Sequence, residues 1–481
     1  MMIHSFKHIP FVMLGSIVLT TAAAAQAPID LGNRLELFVD SFLIDQMNGV
    51  SLRMHEPLPA DTSLTFDKPW EGRYCGYVTV FKDEHIYRMY YRGLPRAKAD
   101  GSDLEVTCYA ESPDGIHWTK PNLGLFEVDG TRENNCILTM TAPFSHNFAP
   151  YPDTRPGAPS EERYKALAGT SGTGLVAFIS GDGIHWKKWR DAPVITQGAF
   201  DSQNVAFWSE SEKCYVCYLR TFTSDGYRTV SRCTSPDFLT WTDIESMDFG
   251  GTPMEHLYTN QTVPYYRAPN LYIAIAARFM PGRRVVSKEE EKALGIQESY
   301  GGDCSDNVLM TSRGGNHYDR TFMEAFIKPG IGMENWTSRT NYPARGIVPT
   351  GEKEMSIYIQ QNYGQPTGYL KRYTLRPDGF ISVNASYKGG ELITKVFTFT
   401  GKELFLNFAT SAAGSVRVGI EDEKGRPMPG FTLDDSAELI GNMLDRVVRW
   451  KESSDISTLA GSPVRLRFFM KDADLYAIEF R

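Results

Sequence analysis

The chain has 481 residues, of which 42% are apolar and 12% aromatic, so it can bury more than one small core. Its net charge of −8, with no basic stripe, indicates that nucleic acid is not a partner. Seven cysteines, an odd number, leave at least one thiol without an intramolecular disulfide. Cys214 and Cys217 lie in a strand pattern that puts them on opposite faces, which favours buried thiols over a disulfide or a zinc site.

The first residues have the pattern of a secretory leader. Lys7 gives a weakly positive start, residues 9–19 are apolar, and residues 22–27 are small. The apolar run is short for a membrane span, so we expect no membrane insertion once the leader is removed. Residues 1–27 are therefore predicted to be a signal peptide, and the mature protein is expected to be secreted or periplasmic.

A short phrase, Ser-x-Asp-Gly-x-x-Trp, recurs along the chain and is called the Asp turn below. It occurs at residues 112–118, 180–186 and, with Phe for Gly, 235–241; weaker copies lie at 312–318 and 376–380. The intervals range from 55 to 77 residues, and each copy closes an alternating apolar run. A strand unit of this size cannot bury its own apolar face, so five of them are expected to stack around an axis as a five-bladed β-propeller.

The carboxylates of the three full Asp turns are predicted to be structural. An aspartate in a tight turn accepts hydrogen bonds from the backbone that follows it, and glycine tolerates a positive φ. We therefore assign no catalytic role to Asp114, Asp182 or Asp237.

Polar segments precede the strand pairs of each unit and are expected to line the central channel. They comprise residues 70–77, 145–150, 200–205, 255–261 and 339–342. In a closed propeller the starts of the innermost strands meet at one end of the axis. Residues 281–303 interrupt the fourth unit, where Ser287 and Glu290 form a capping-box pattern and Gly295 a stop, so a short helix is predicted.

After Gly379 the sequence changes to short alternating strands divided by turns, a pattern typical of a β-sandwich. The chain is thus predicted to be all-β. A five-bladed β-propeller over residues 28–385 is followed by a C-terminal β-sandwich over residues 386–481.

This layout resembles the five-bladed glycoside hydrolases of families 32 and 43, which carry acidic residues on inner strands of separate blades. The family-32 motif Trp-Met-Asn-Asp-Pro-Asn-Gly and a clean Arg-Asp-Pro are absent, so the resemblance is one of arrangement and indicates a distant relative. It implies an exported, exo-acting glycosidase with a carbohydrate substrate and no metal or other cofactor.

Cleavage of a glycosidic bond needs two carboxyl groups, one to protonate the leaving oxygen and one to activate water or attack directly. By this resemblance Glu255 is the candidate general acid, and Asp201 is the base, the nucleophile or the group that sets the pKa of the acid. Glu71 takes the remaining role, with Asp40 as the alternative first-blade carboxylate. Glu71, Asp201 and Glu255 are expected to converge on one sugar-sized hollow.

Further polar and aromatic residues on the inner or adjacent strands are candidates for holding the sugar. They are Trp70, His146, Asn147, Gln203, Tyr258, Asn260, Arg278, Arg339, Asn341 and Gln361, with Tyr342 as a further stacking ring. Asp303 and Asp306 are two acids without a ligand loop, which does not amount to a calcium-site prediction.

Two other functions fit the same pattern. A non-catalytic carbohydrate-binding protein would need no intact catalytic motifs. A sialidase-like enzyme is suggested because the Asp turn resembles the Asp box of sialidases. Sialidases, however, have six blades and an arginine triad, whereas this chain has five units, so this alternative ranks last.

Overall fold

The computed structural model describes residue 1 and residues 27–481, and it is nearly all β. Five four-stranded sheets form a five-bladed propeller, and a larger sheet forms the C-terminal module, so the predicted fold class is confirmed. The predicted leader lies almost wholly outside the described residues. Over the described part of the chain, no helix has the length and apolar character needed to cross a membrane.

The blades are consecutive antiparallel meanders, each of which runs from an innermost strand outward. Blade 1 consists of Gly76–Asp83, Ile86–Gly93, Val106–Ser112 and Cys136–Leu138. Blade 2 consists of Ala149–Pro152, Tyr164–Ala168, Val176–Ser180 and Lys187–Lys188. Blade 3 consists of Val205–Ser209, Cys214–Phe222, Arg228–Ser235 and Glu245–Ser246.

In blade 4, His256–Leu257 and Val263–Tyr265 both pair with Ala268–Met280, which pairs in turn with Cys304–Ser312. Blade 5 consists of Val348–Gly351, Glu354–Gln361 and Tyr369–Leu375, with Leu58–Thr65 as its outermost strand. Since Leu58–Thr65 precedes blade 1 in the chain, it closes the ring between the first and last blades.

The Asp turns have the predicted structural role. Asp114 Oδ1 accepts hydrogen bonds from the backbone N–H groups of Ile116 and His117, both at 2.8 Å, and from Ser112 Oγ at 2.9 Å. The Trp118 indole donates to the Gly115 carbonyl at 3.2 Å. The same bonds recur around Asp182 and Asp237. In the turn of Asp237, Phe238 occupies the glycine position and has a φ of 69°.

The C-terminal module takes strands from both ends of the chain. Its C-terminal strands are Ile381–Ala385, Gly390–Thr394, Phe397–Phe399, Leu404–Asp422, Asn442–Val447 and Val464–Phe480. Four N-terminal strands pair with them: Ile29–Gly32, Glu36–Leu37, Ile44–Asn48 and Val50–Met54. Residues 29–54, predicted to be part of the propeller, belong to this module because Phe38, Leu43 and Ile44 pack into its core.

The insertion in blade 4 contains the predicted helix, Lys288–Leu294. Ser287 and Glu290 form a capping box, and Gly295 ends the helix with a φ of 68°. All seven cysteines are free, so Cys214 and Cys217 form no disulfide, as predicted. Cys217 is a buried thiol, whereas Cys214 is partly exposed.

A polar network crosses the propeller axis and divides the central channel. Gln203 Nε2 donates to Thr79 Oγ1 at 2.7 Å, and Gln261 Nε2 donates to Gln203 Oε1 at 2.6 Å. Arg345 donates to the carbonyls of Pro150 and Ala206. Near the ends of the inner strands lies an apolar cavity of about 370 Å³; near their starts lies a polar pocket.

Candidate active site

The polar pocket lies where the inner strands start, as the sequence predicted for the functional end of the axis. Blades 1, 3, 4 and 5 contribute to its walls. It is lined by Gly76, Tyr77, Arg92, Leu94, Ala97, Lys98, Asp100, Asp201, Tyr258, Tyr300, Arg339, Tyr342, Gln360 and Tyr363. Four predicted site residues, Asp201, Tyr258, Arg339 and Tyr342, are therefore together in one pocket.

Asp201 is the carboxylate at the centre of this pocket, and four side chains donate to it. Tyr77 Oη and His146 Nε2 each lie 3.0 Å from Oδ1. Tyr258 Oη lies 3.0 Å from Oδ2, and an Arg220 guanidinium nitrogen lies 3.5 Å from it. The side chain still exposes 33% of its surface.

The protonation state of Asp201 follows from these donors. Burial by itself would raise the pKa of Asp201, but the hydrogen bond from His146 and the charge of Arg220 hold this pKa well below its usual range. Burial and the Asp201 charge raise the pKa of Tyr77, so that phenol stays protonated and donates. Asp201 is thus an oriented anion at neutral pH.

His146 connects Asp201 to a second, buried carboxylate. Its Nδ1 lies 2.9 Å from Glu105 Oε1, and its side chain is 1% exposed. Burial lowers the pKa of His146, whereas the hydrogen bonds to Asp201 and Glu105 raise it, and the net shift is upward. The raised pKa favours the protonated imidazole between two acids, although two donors, Arg92 Nη1 at 3.2 Å and the Gly101 backbone N–H at 3.3 Å, also face Nδ1.

Tyrosines and arginines alternate along the pocket wall. The Arg92 guanidinium lies 4.8 Å from the ring centroid of Tyr77, and Arg220 lies 4.7 Å from that of Tyr258. Tyr77 and Arg339 adopt positive φ values of 51° and 59°, a conformation that bulky residues rarely accept. A shift in strand register between Gly76 and Thr79 places Tyr77 at the pocket. Strained backbone thus occurs on two sides of the same site.

A second carboxylate in the pocket, Asp100, was not identified from the sequence. It lies in the loop between Ile86–Gly93 and Val106–Ser112, and one of its oxygens lies within 4.8 Å of both a His146 nitrogen and an Asp201 oxygen. One imidazole and two carboxylates at this spacing are a set that could hold a divalent cation. The positive charges of Arg92 and Arg220, and the direct His146–Asp201 bond, oppose a cation there.

Glu71 does not reach the pocket, so the structure does not bring it together with Asp201 as expected. Its side chain is fully buried beneath blade 1 and accepts hydrogen bonds from Tyr91 Oη at 2.6 Å and Lys120 Nζ at 2.7 Å. The neighbouring Trp70 is also buried and donates its indole N–H to Asn135 at 2.9 Å. Both residues anchor the loop that leads into the first inner strand and cannot contact a substrate.

Glu255, the predicted general acid, lies in a different cleft that shares no lining residue with the pocket of Asp201. Its two oxygens accept from Arg278 at 2.9 Å and from Arg320 at 2.6 Å, and Arg278 also pairs with Asp306. The expected convergence of Glu71, Asp201 and Glu255 is therefore wrong. Arg278, a predicted sugar-binding residue, pairs with Glu255 and also lies outside the pocket of Asp201. Glu255 and Tyr258 are three positions apart, and residues at that spacing point to opposite sides of a strand.

Asp40, the alternative carboxylate, is in the C-terminal module and forms an ion pair with Arg313 at 2.8 Å. The remaining predicted binding residues are buried and bond to the backbone or to one another. Asn147 donates to the carbonyls of Gly169, Phe200 and Ser202, and Asn260 accepts from Thr262. Asn341 bonds to Ser305, Asn335 and Gln361, and Gln203 belongs to the axial network. None of these residues lines the pocket of Asp201.

The sequence held a signal for two of the missed residues. Arg92 and Arg220 follow Tyr87 and Tyr215 by five positions, and both tyrosines pair with the serine of an Asp turn. The two arginines thus occupy the same position in blades 1 and 3. Asp100 carries no comparable signal because it lies in a loop outside the repeat.

No family model matches the chain, and no curated protein matches it. Among solved structures, it is similar to an N-acetylgalactosamine deacetylase from F. plautii, in complex with blood group B trisaccharide. The identity is 14%, with 67% of this chain and 94% of the other covered and a TM-score of 0.44. It is also similar to a glycosyl hydrolase from Bacteroides ovatus, at 11% identity, with 69% and 95% covered and a TM-score of 0.41.

A third similar structure comes from work on mannoside phosphorylases of the GH130 family, which is said to contain glycoside hydrolases that target β-1,2 mannosidic linkages in Candida mannan. Its identity is 12%, with 72% of this chain and 97% of the other covered and a TM-score of 0.38. Glycoside hydrolases are thus among the structural neighbours of this five-bladed propeller. The likeness is remote, and no residue role follows from it.

Proposed function

We propose that this protein is a glycosidase that acts at the pocket of Asp201. The observation that carries the proposal is the state of Asp201: an ionised, oriented and partly exposed carboxylate in a pocket lined by tyrosines. Aromatic rings suit the flat faces of sugar rings, and an oriented anion suits the stabilisation of an oxocarbenium-like transition state.

The two carboxylates of the pocket divide the chemistry. Because its pKa is low, Asp201 acts as base or nucleophile and is unsuited to be the acid. Asp100 supplies the proton to the leaving oxygen. An oxygen of each carboxylate lies within 4.8 Å of the other, so both can act on one bound sugar. In the proposed reaction Asp201 attacks the anomeric carbon as the glycosidic bond breaks and Asp100 protonates the leaving oxygen. Water, deprotonated by Asp100, then displaces the sugar from Asp201.

Exo-action and export are further parts of the proposal. The axial network of Gln203 and Gln261 meets the first inner strand at Val78 and Thr79, directly beyond Tyr77 of the pocket, which favours binding of a chain end over a chain interior. Export is supported by the leader pattern in the first 27 residues. N-terminal sequencing of protein recovered from outside the cytoplasm should begin between residues 25 and 28. An intact Met1 in that fraction would contradict cleavage of the leader, and absence of the protein from that fraction would contradict export.

The experiment compares Asp201→Asn with Glu255→Gln on a panel of α- and β-linked aryl glycosides. Asp201→Asn should lower the rate at least about 100-fold, whereas Glu255→Gln, outside the pocket, should stay within about twofold. Melting temperatures of both variants check that the fold is retained. Unchanged hydrolysis by Asp201→Asn would refute the assignment. Binding of oligosaccharides without any product from the unmutated protein would favour a carbohydrate-binding protein instead.

A further inference from the structure

The pocket has an excess of positive charge, whereas the protein as a whole is negatively charged. Three cations, Arg92, Lys98 and Arg339, line it against two acids, Asp100 and Asp201, and Arg220 adds a fourth cation behind Asp201. The whole chain carries a net charge of −8. A concave site with excess positive charge attracts an anionic ligand.

Arg339 has no acidic partner among the described residues. No carboxylate oxygen in this part of the chain lies within 4.0 Å of its guanidinium, and its contacts are the rings of Tyr300 at 5.0 Å and Tyr258 at 5.9 Å. Arg278 and Arg232 pair with Asp306 and Glu212. Arg92 and Arg345 also lack a carboxylate partner among the described residues, but they donate to backbone carbonyls, whereas no such bond satisfies Arg339. Arg339 also has a strained backbone, with a φ of 59°. Within the part of the chain that the structure describes, Arg339 makes no hydrogen bond or ion pair that stabilises the fold and is not among the groups that keep Asp201 ionised, so its place in the pocket needs another explanation.

The two other arginines have unused donors. Arg92 is 7% exposed and Arg220 is 6% exposed, yet Arg92 Nε and two nitrogens of Arg220 have no hydrogen-bond partner within residues 27–481. Leaving a buried N–H group unpaired is unfavourable. These nitrogens have almost no exposed surface, so they cannot bond a ligand directly and act on the pocket through their positive charge.

We infer that the sugar bound in this pocket carries an anionic group, a carboxylate or a sulfate, which Arg339 binds with help from the arginines beside it. This inference rests on the proposed function for its site, and it names the class of substrate. A guanidinium matches a carboxylate or sulfate with two parallel hydrogen bonds, which a neutral hydroxymethyl group cannot provide. Tyr258 and Tyr300 flank Arg339 and offer faces for the ring that carries the anion.

The test measures binding and not turnover, so its failure is distinct from failure of the glycosidase proposal. Calorimetric titration compares glucuronate with glucose and galacturonate with galactose, pairs that differ only at C6. Glucose 6-sulfate and N-acetylneuraminate distinguish a sulfate and a sialic acid from a uronate. At least one acidic sugar should bind about tenfold or more tightly than its neutral counterpart. Equal or weaker binding of every acidic sugar would overturn the inference.

Arg339→Gly isolates the guanidinium because glycine accepts the φ of 59° without strain. This variant should retain the fold and lose the preference for the acidic sugar. Arg96→Gln, an equal change of charge at an exposed residue outside the pocket lining, is the matched control and should keep the preference. Should Arg339→Gly fail to fold, Arg339→Gln provides the same comparison. A preference that survives the loss of Arg339 would overturn the assignment.

Discussion

His146 donates to Asp201 across 3.0 Å while its other ring nitrogen lies 2.9 Å from Glu105. Burial lowers the pKa of this imidazole, but its hydrogen bonds to the two carboxylates raise the pKa on balance, and the imidazole in turn lowers the pKa of Asp201. His146 does not line the pocket itself, so it is a positioning residue that acts through Asp201. Titration of His146 should therefore change both the free energy of unfolding and the hydrolysis rate at Asp201.

The first prediction concerns this pH response. The folded-state pKa of His146 is raised above the ordinary value of 6.5, so its contribution to stability is fully present below that value. The contribution is lost as the pH rises through the raised pKa. His146→Gln should therefore remove part of the decline in the free energy of unfolding above neutral pH, measured by urea titration at a series of pH values.

The same variant should lower hydrolysis, because Asp201 loses both its donor and the adjacent charge. Tyr77→Phe removes a neutral donor from the same oxygen and serves as the control, since it should leave the pH dependence of stability unchanged. Equal pH profiles for His146→Gln and the unmutated protein would show that the imidazole is not a buried cation.

The second prediction concerns metal ions. Arg220 and Arg92 lie beside the set of Asp100, His146 and Asp201, and a cation there would be repelled by them. Dialysis against EDTA should therefore leave both hydrolysis and the melting temperature unchanged. A loss of either that zinc or manganese restores would instead assign a metal to these three residues.

The third prediction is that Glu71 acts on stability and not on catalysis. Glu71→Gln removes the charge that faces Lys120 at 2.7 Å in a buried setting, although Asp67 remains 2.9 Å from the same ammonium. The free energy of unfolding should fall by about 1–3 kcal/mol. The rate per folded molecule should stay as in the unmutated protein, and a selective loss of rate at unchanged stability would restore Glu71 to the candidate catalytic residues.

The successes and errors of the sequence predictions have the same physical basis. The Asp turns and the capped helix at Ser287 depend on bonds between residues two to four positions apart, which a local pattern specifies. The alternation of side chains between the two faces of a strand is a local rule of the same kind. Applied to Glu255 and Tyr258, the same alternation would have shown that both could not face one pocket.

Long-range pairing was beyond what the pattern could decide. The alternating residues around Asp40 do indicate strands, but their partners lie more than 300 positions away in the C-terminal module. These strands join the C-terminal module because Phe38 and Leu43 pack into its core. A local sequence pattern does not specify such long-range packing. The ionic surroundings of Asp201 are likewise assembled from different blades, through Tyr77, His146 and Tyr258.

The last prediction concerns the Asp turn of blade 2. Asp182→Ala removes the acceptor for the backbone N–H groups of Ile184 and His185, at 2.9 and 2.8 Å, and for Ser180 Oγ at 3.1 Å. Because the side chain is half exposed, water replaces part of these bonds, and the loss in the free energy of unfolding should be about 1 kcal/mol, as for a lost helix cap. Asp191→Ala, at an almost fully exposed aspartate next to the same blade, is the control and should leave stability unchanged. Hydrolysis should be unaffected in both variants, since neither residue lines the pocket of Asp201. Equal stability of the two variants in urea titration would show that the recurring aspartate does not stabilise the blade.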